Sequence, residues 1–347
     1  MMTSSARPEA SHIGYLDGWR GIAILLVLAD HFFGLPTGYV GVALFFALSG
    51  RLMSDILFVR RMPLRTFYRR RVARILPLFW LYVVTTFIFG AVVFREFHWT
   101  SFLATMVFLR TYWPARNIFT SYIPIGHLWT LNIEEHCYLF LSLIALAVAS
   151  RRKALTMLLA ASALCLTLFL AYKLLHFRPA SPYLLRSEVA AFPLVIAAAA
   201  YLFTVVRPIR VRPLVPVAAL TFTVGASFLV SSYFFFYFVG SVLLALSVVT
   251  LPQAPAWFLH LLSNRLLRWF GVCSYSIYMW QQIFWFSGRF FKEYHDLYRY
   301  VAIAATLAIS AASFYFYESP LRAWLSGKTR RTLDGTSRIG KNAPTAA

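Results

Sequence analysis

The amino-acid sequence predicts an all-α fold, a polytopic bundle of about ten membrane-spanning helices. Three observations predict it. Hydrophobic residues fill 60% of the 347 positions and charged residues only 13%, about half the roughly 25% charged share of soluble domains. The apolar runs recur along almost the whole chain, so no single soluble core could absorb them. Alternation of period two is absent, and an open sheet would leave backbone groups that lipid cannot satisfy.

A spanning helix needs about 20 mostly apolar residues. In chain order the candidate spans cover roughly 15–33, 38–58, 75–94, 123–149, 154–175, 188–206, 213–231, 233–250, 269–287 and 298–317. Residues 1–13 are polar and are expected to form a cytoplasmic tail. The first apolar run lacks a small-residue cleavage site and is expected to stay as a helix. Residues 14–325 make one transmembrane domain. Residues 326–347, rich in Gly, Lys, Arg, Ser and Thr, have nothing to bury and are expected to be a disordered, basic cytoplasmic tail. The apolar piece at 101–112 is too short to span and is expected to be re-entrant or interfacial on the outer side.

The formal charge of +21 would suggest nucleic acid in a soluble protein. Here the basic residues sit mostly in short loops between apolar runs, a topological pattern, and no nucleic-acid partner is expected. With the amino terminus inside, 22 of the 33 Lys and Arg residues fall on the cytoplasmic side and nine on the outer side. The excess predicts ten spans with both termini cytoplasmic. Cys137, Cys165 and Cys273 lie in apolar segments at unrelated spacings, which fits packing rather than a disulfide framework. No ligand cluster at metal spacing occurs, and no metal is expected. The absence of an internal repeat argues against an inverted-repeat transporter.

Ionisable residues inside membrane helices are costly and draw attention to function. Arg20 and His31 are eleven residues apart, about 20° beyond three full turns and about 16.5 Å along a helix axis. They share a face, with Arg20 expected at the cytoplasmic interface and His31 deeper. A cation at the entrance and a titratable base inside suit an anionic donor; a topological anchor and a packing histidine are the plain alternative. Arg70, Arg71 and Arg74 enter the third span. Arg71 and Arg74 lie one turn apart, so both guanidinium groups can address one ligand, and the fork geometry of arginine suits phosphate. The plain alternative is a cluster touching anionic lipid heads. Glu134 and Glu135 lie near mid-membrane. Adjacent residues diverge on a helix, so one is expected to face the interior and the other to pair with a buried cation. A carboxylate near His31 would fix its tautomer or stabilise its imidazolium form. His136 adjoins the pair and Asp30 adjoins His31. Arg51 and Asp55, at i and i+4, are expected to neutralise each other.

Together these residues resemble the acyltransferase-3 family of bacterial membrane acyltransferases over roughly residues 14–322. Tyr15 to Ala23 (YLDGWRGIA) leads into the Arg20-x10-His31 pattern, and Gly41 to Gly50 (GVALFFALSG) follows. Then come Arg70, Arg71, Arg74 and Pro77 (RRVARILP), and His127 to Tyr138 (HLWTLNIEEHCY). Gly271 to Tyr278 (GVCSYSIY) and Tyr317 to Arg322 (YESPLR) complete the order. The resemblance implies transfer of an acyl group, usually acetyl from acetyl-CoA, to a hydroxyl of a surface glycan, glycolipid or lipo-oligosaccharide. It places the protein in the bacterial cytoplasmic membrane. It makes His31 the base or acyl carrier, with Glu135 and Glu134 as weaker catalytic candidates, and assigns Arg20, Arg70, Arg71 and Arg74 to the donor. No permanently bound cofactor is implied. Three positions depart from the family pattern. Ala43 replaces an Asp and Arg51 a Phe, which suggests an altered acceptor pocket. Gln281 replaces a His, which removes one candidate base. The rival readings are a proton-coupled transporter or flippase, in which His31 and Glu135 relay protons, and an inactive scaffold.

The topology is testable with reporter fusions. Fusions after Lys153 and Arg212 are expected to read cytoplasmic, and fusions near Arg116 and Arg178 external; a cytoplasmic signal at Arg178 overturns the arrangement.

Overall fold

The computed structural model describes residues 14–114, 118–119, 121–175, 183–290 and 295–325. The two tails, Arg116 and Arg178 lie outside the described residues. The described residues are all-α, as their composition predicts. In chain order the helices are α1 (Gly14–Phe33), α2 (Gly38–Ser54), α3 (Leu64–Val93), α4 (Trp99–Met106), α5 (Trp129–Ala147), α6 (Arg151–Leu174), α7 (Ser187–Ala190) and α8 (Phe192–Val206). They continue as α9 (Leu214–Ser227), α10 (Tyr233–Phe235), α11 (Ser241–Thr250), α12 (Ala256–Leu262), α13 (Arg265–Val272), α14 (Ser274–Ser287), α15 (His295–Ala312) and α16 (Ser319–Leu325). Wide π-helical turns extend α2 through Asp55–Val59 and join α10 to α11 and α15 to α16.

Each of the ten expected segments coincides with helix. Among the described residues six stretches are long and apolar enough to cross a bilayer: Gly38–Val59, Leu64–Val93, Arg151–Leu174, Ser187–Val206, Tyr233–Gln253 and Leu297–Leu325. The chain is thus a multi-pass membrane protein. The other four expected spans differ from those six in length or polarity. α1 and α5 carry the ionisable residues singled out above, while α9 and α14 have 14 residues each. Outward faces are strongly apolar, with Val92 75%, Leu174 74% and Phe316 85% exposed, a surface that water would penalise and lipid accepts.

Three boundaries differ from expectation. α3 begins at Leu64, eleven residues before the apolar run, because the arginine-rich stretch joins the helix. The run at 269–287 is two helices. The turn falls at Cys273 (φ −84°, ψ 0°), and α13 before it is amphipathic, with Arg265 and Arg268 on a polar side. α12 was not expected from the sequence at all. The piece at 101–112 contains only the eight-residue α4, about 12 Å long, which is too short to span.

Helix α1 is wedged between α2, α12, α13 and α14. Backbones meet there without side chains between them. A Cβ on Gly18 would lie 1.7 Å from the Leu262 carbonyl oxygen, and one on Gly271 would lie 1.7 Å from that of Asp17. Small residues permit such approach in membrane bundles, where packing rather than the hydrophobic effect holds helices together. Helix α2 is the second axis of the bundle and packs on α1, α5, α8 and α11. Trp19, Ala23, Leu44 and Leu48 fill the α1–α2 side of the core, while Phe79, Tyr82, Ile133 and Leu141 fill the α3–α5 side. All three cysteines are buried and unpaired.

Substituting Gly18→Ala or Gly271→Ala is therefore expected to destabilise the fold by about 1–3 kcal/mol through overpacking. The readout is the melting midpoint of the detergent-solubilised protein. Gly225→Ala, where nothing lies within 4 Å, is the control and is expected to hold or raise the midpoint.

Candidate active site

Five helices converge on one cavity of about 260 Å³. Arg20 comes from α1, Ser49 from α2, and Arg70, Arg71 and Arg74 from the first three turns of α3. Thr130, Glu134 and Tyr138 come from α5, and Ser274, Tyr275 and Tyr278 from α14. The rest of the wall is apolar, with Phe45, Phe46, Leu48, Leu52, Met53 and Ile56 from α2 and its π turn. The structure thus brings together five of the seven expected site residues. His31 and Glu135 do not line the cavity.

The four cations differ in their partners. Arg20 Nη1 is 3.1 Å from Asp17 Oδ1, one turn earlier on α1. Arg20 lies about a turn and a half inside its helix and lines the cavity. The Arg71 guanidinium lies 3.9 Å from the centroid of the Tyr138 ring, and its Nη2 lies 2.9 Å from Met53 Sδ. Cation–π contacts of this kind contribute about 0.5–2 kcal/mol. Arg70 has only a long contact, 4.0 Å, to Met62 Sδ. None of Arg70, Arg71 and Arg74 forms a salt bridge among the described residues. Their forked donors keep capacity for an anionic ligand.

The carboxylates behave differently from each other. Glu134 faces the cavity and accepts a hydrogen bond from Ser49 Oγ at 2.7 Å. A buried cation was expected beside whichever carboxylate faces away, but Glu135 forms no salt bridge among the described residues, and its Oε1 is buried without a hydrogen-bond partner. The helix turns the two side chains about 100° apart, which leaves Glu135 behind the wall that Glu134 forms. The expected Arg51–Asp55 pair is also replaced. Asp55 sits at the start of the π turn and is 2.6 Å from Arg60 Nε, while Tyr201 donates to it at 2.9 Å. Arg51 instead faces the Tyr201 ring at 5.8 Å. Neither Arg51 nor Ala43 lines the large cavity.

His31 occupies the last turn of α1. Its Nδ1 is 2.6 Å from Gln281 Oε1 on α14, and its ring stacks on Trp285 with centroids 4.8 Å apart. No glutamate fixes its tautomer; the neighbouring carboxylate is Asp30, whose Oδ2 is 3.9 Å from Nε2. The histidine is linked to the cavity through α14. Tyr278 lines it, and Gln281 follows less than one turn later on α14. The Tyr278 hydroxyl bonds the His127 carbonyl oxygen at 3.0 Å and the Thr130 hydroxyl at 2.8 Å. The His127 imidazole is packed edge-on to Tyr82 and Tyr278, and neither ring nitrogen has a hydrogen-bond partner.

Two motifs that carried no assigned role clasp the arginine helix. Tyr275 donates to the Ile75 carbonyl oxygen at 2.8 Å, and Tyr317 donates to that of Pro77 at 3.3 Å. Glu318 accepts hydrogen bonds from Ser276 and Ser313. Pro77 lacks an N–H and loosens α3 at this point, so the two tyrosines brace the segment just beyond Arg74. Ser49, Tyr278 and Gln281 are further site residues that sequence reasoning left without a role. The signals available were the Ser-Gly pair of the Gly41–Gly50 motif and the unusual residue at 281. Among the described residues no group of three or more His, Cys, Asp or Glu side chains gathers as a metal site.

The chain belongs to the acyltransferase-3 family, whose model, described as an acyltransferase domain, matches residues 13–318. Among its relatives are the peptidoglycan O-acetyltransferase OatA of Listeria monocytogenes, 26% identical over 92% of this chain and 57% of that protein. YrhL of Bacillus subtilis is 25% identical over 90% of this chain and 55% of its own length. The chain therefore spans little more than half the length of these relatives. No solved structure matches it.

Loss of one tyrosine clasp is expected to be mild and loss of both larger. Tyr275→Phe and Tyr317→Phe should each cost about 0.5–1.5 kcal/mol, read as the detergent melting midpoint; an unchanged midpoint in the double variant rules out the bracing role.

Proposed function

We propose that this protein is a membrane O-acetyltransferase that moves an acetyl group from acetyl-CoA to a hydroxyl of a cell-surface glycan or glycolipid. One observation carries the reading: four arginines gather around an apolar cavity lined also by Tyr278, three residues before the Gln281 that bonds His31. The phosphates of the donor bind Arg70, Arg71 and Arg74, with Arg20 further in. The thioester end lies along the apolar wall toward Tyr278 and Thr130. The acceptor hydroxyl approaches His31 from the opposite side.

A thioester is already activated, so positioning and a base suffice. In direct transfer the imidazole of His31 takes the hydroxyl proton as the oxygen bonds to the thioester carbonyl carbon. The carbon–sulfur bond breaks, and the leaving thiolate takes the proton back to give free CoA. In the covalent route the imidazole attacks first and carries the acetyl group to the acceptor. Glu134, bonded to Ser49 inside the cavity, is the second candidate for proton handling. The acetyl group and the glycan class rest on the family and on the Listeria relative, a peptidoglycan O-acetyltransferase. The donor, the acceptor and the residue roles rest on the chemistry of the cavity and on the residues that match the family pattern. The inside placement of both termini and of the arginine end rests on the loop charges.

His31→Ala and His31→Gln are expected to accumulate and bind CoA yet lose about 10²–10⁴ in transfer rate. Release of free thiol and base-labile acetate on the cell envelope are the readouts. Trapping of acetyl-His31 without acceptor would favour the covalent route, and near-normal transfer by His31→Gln would remove the assignment. Arg71→Lys keeps charge but loses the fork; it is expected to weaken CoA binding in detergent with no loss of folded protein. Unchanged CoA affinity in both Arg71→Lys and Arg74→Lys would move the donor elsewhere. A transporter would move substrate without consuming thioester.

A further inference from the structure

The hydrogen bond between His31 and Gln281 links two residues 250 positions apart and decides a protonation question. Its length is 2.6 Å, between His31 Nδ1 and Gln281 Oε1. The direction of the amide is set by its other contacts. Gln281 Nε2 lies 3.4 Å from both the Tyr278 carbonyl oxygen and Gln282 Oε1. A backbone carbonyl only accepts, so the amide nitrogen belongs on that side and the amide oxygen faces the histidine. Gln281 is fully buried, so its amide is screened from solvent.

An amide oxygen only accepts, so Nδ1 of His31 is the nitrogen that carries the proton. The lone pair of neutral His31 is then on Nε2. That nitrogen is 3.9 Å from Asp30 Oδ2, and the Asp30 side chain is 37% exposed. The gap is too long for a direct hydrogen bond and wide enough for an oxygen between the two groups. The base nitrogen therefore faces the open side of the ring, opposite the buried α14 side.

We propose that Gln281 is a positioning residue for acyl transfer: it holds the Nδ1 proton of His31 and leaves Nε2, beside Asp30, to receive the acceptor hydroxyl. The acceptor oxygen gives its proton to Nε2 as it bonds to the thioester carbonyl carbon. The Nδ1 proton stays on the bond to Gln281 throughout. The imidazolium so formed lies beside the Asp30 carboxylate, which stabilises it until the departing thiolate recovers the proton. A histidine whose Nδ1 were unheld could place its lone pair on the buried side, where no acceptor reaches it. The inference rests on His31 as the reacting residue.

The test compares Gln281→Met with Gln281→Glu in the full chain, beside His31→Ala. Methionine matches glutamine in length and volume but accepts no useful hydrogen bond. Glutamate accepts the Nδ1 proton as the amide does. CoA affinity of the detergent-purified proteins is measured together with base-labile acetate on the envelope of complemented cells. The expected result is a loss of at least about tenfold in acetate for Gln281→Met, near-native acetate for Gln281→Glu, and unchanged CoA affinity for both. If Gln281→Met fails to accumulate, Gln281→Leu takes its place. Wild-type acetate in Gln281→Met, or equal loss in the Met and Glu variants, overturns the inference and leaves Gln281 a packing residue. Retained acetate in His31→Ala overturns the underlying catalytic reading instead, and the two failures are thereby distinct.

Discussion

The closest constraint in the molecule is the backbone contact that fixes α1. Gly18 meets the Leu262 carbonyl and Gly271 meets that of Asp17, with no room for a Cβ at either position. Gly41 of α2 closes on the Ala23 carbonyl from another side. In lipid, association between helices draws little from the hydrophobic effect, so surface complementarity carries most of it. The same helix bears Arg20 on one of its early turns and His31 on its last. Fixing α1 fixes the separation between the cationic cavity and the imidazole, and hence the length of ligand that can bridge them.

Cations in an apolar interior need compensation, since an unpaired buried charge costs several kcal/mol. The bundle compensates them unequally. Arg20 has a carboxylate. Arg71 has an aromatic face and a thioether sulfur, both weak partners. Arg74 has neither a salt bridge nor an aromatic contact among the described residues. Weak partners make the site receptive: they hold the guanidinium groups in place while leaving donors for a stronger acceptor. A full set of ion pairs would have made the cavity more stable empty and less able to take an anion. Glu134, bonded to a neutral hydroxyl rather than to an arginine, avoids that outcome.

The positions of the helices were largely legible because lipid permits so few alternatives; apolar run length alone marks them. Boundaries were less legible where charge and helix overlap. Apolar run length starts the third span at residue 75, yet the helix reaches back through the arginines to Leu64, since arginine is a good helix former. The break at Cys273 was hidden because both halves are apolar enough to read as one run. At the site, periodicity correctly placed Arg71 and Arg74 together, as both line one wall. It failed for Glu135 and for Arg51, whose partners are chosen by packing between helices and by the π turn at Asp55. Gln281 was noticed only as a missing base, since sequence distance conceals a bond across 250 residues.

The clasp on α3 has a consequence for the order of biosynthesis. Tyr317 bonds to Pro77, a residue made 240 positions earlier, and Glu318 is tied to the segment that carries Tyr275. During translation the arginine helix is inserted long before either brace exists. The cavity's last lining residues come from α14, and the Tyr317 brace on α3 is added only after α15 has been made. Until then a nascent chain holds its cations on a helix loosened by proline, free to adjust against neighbours as they arrive.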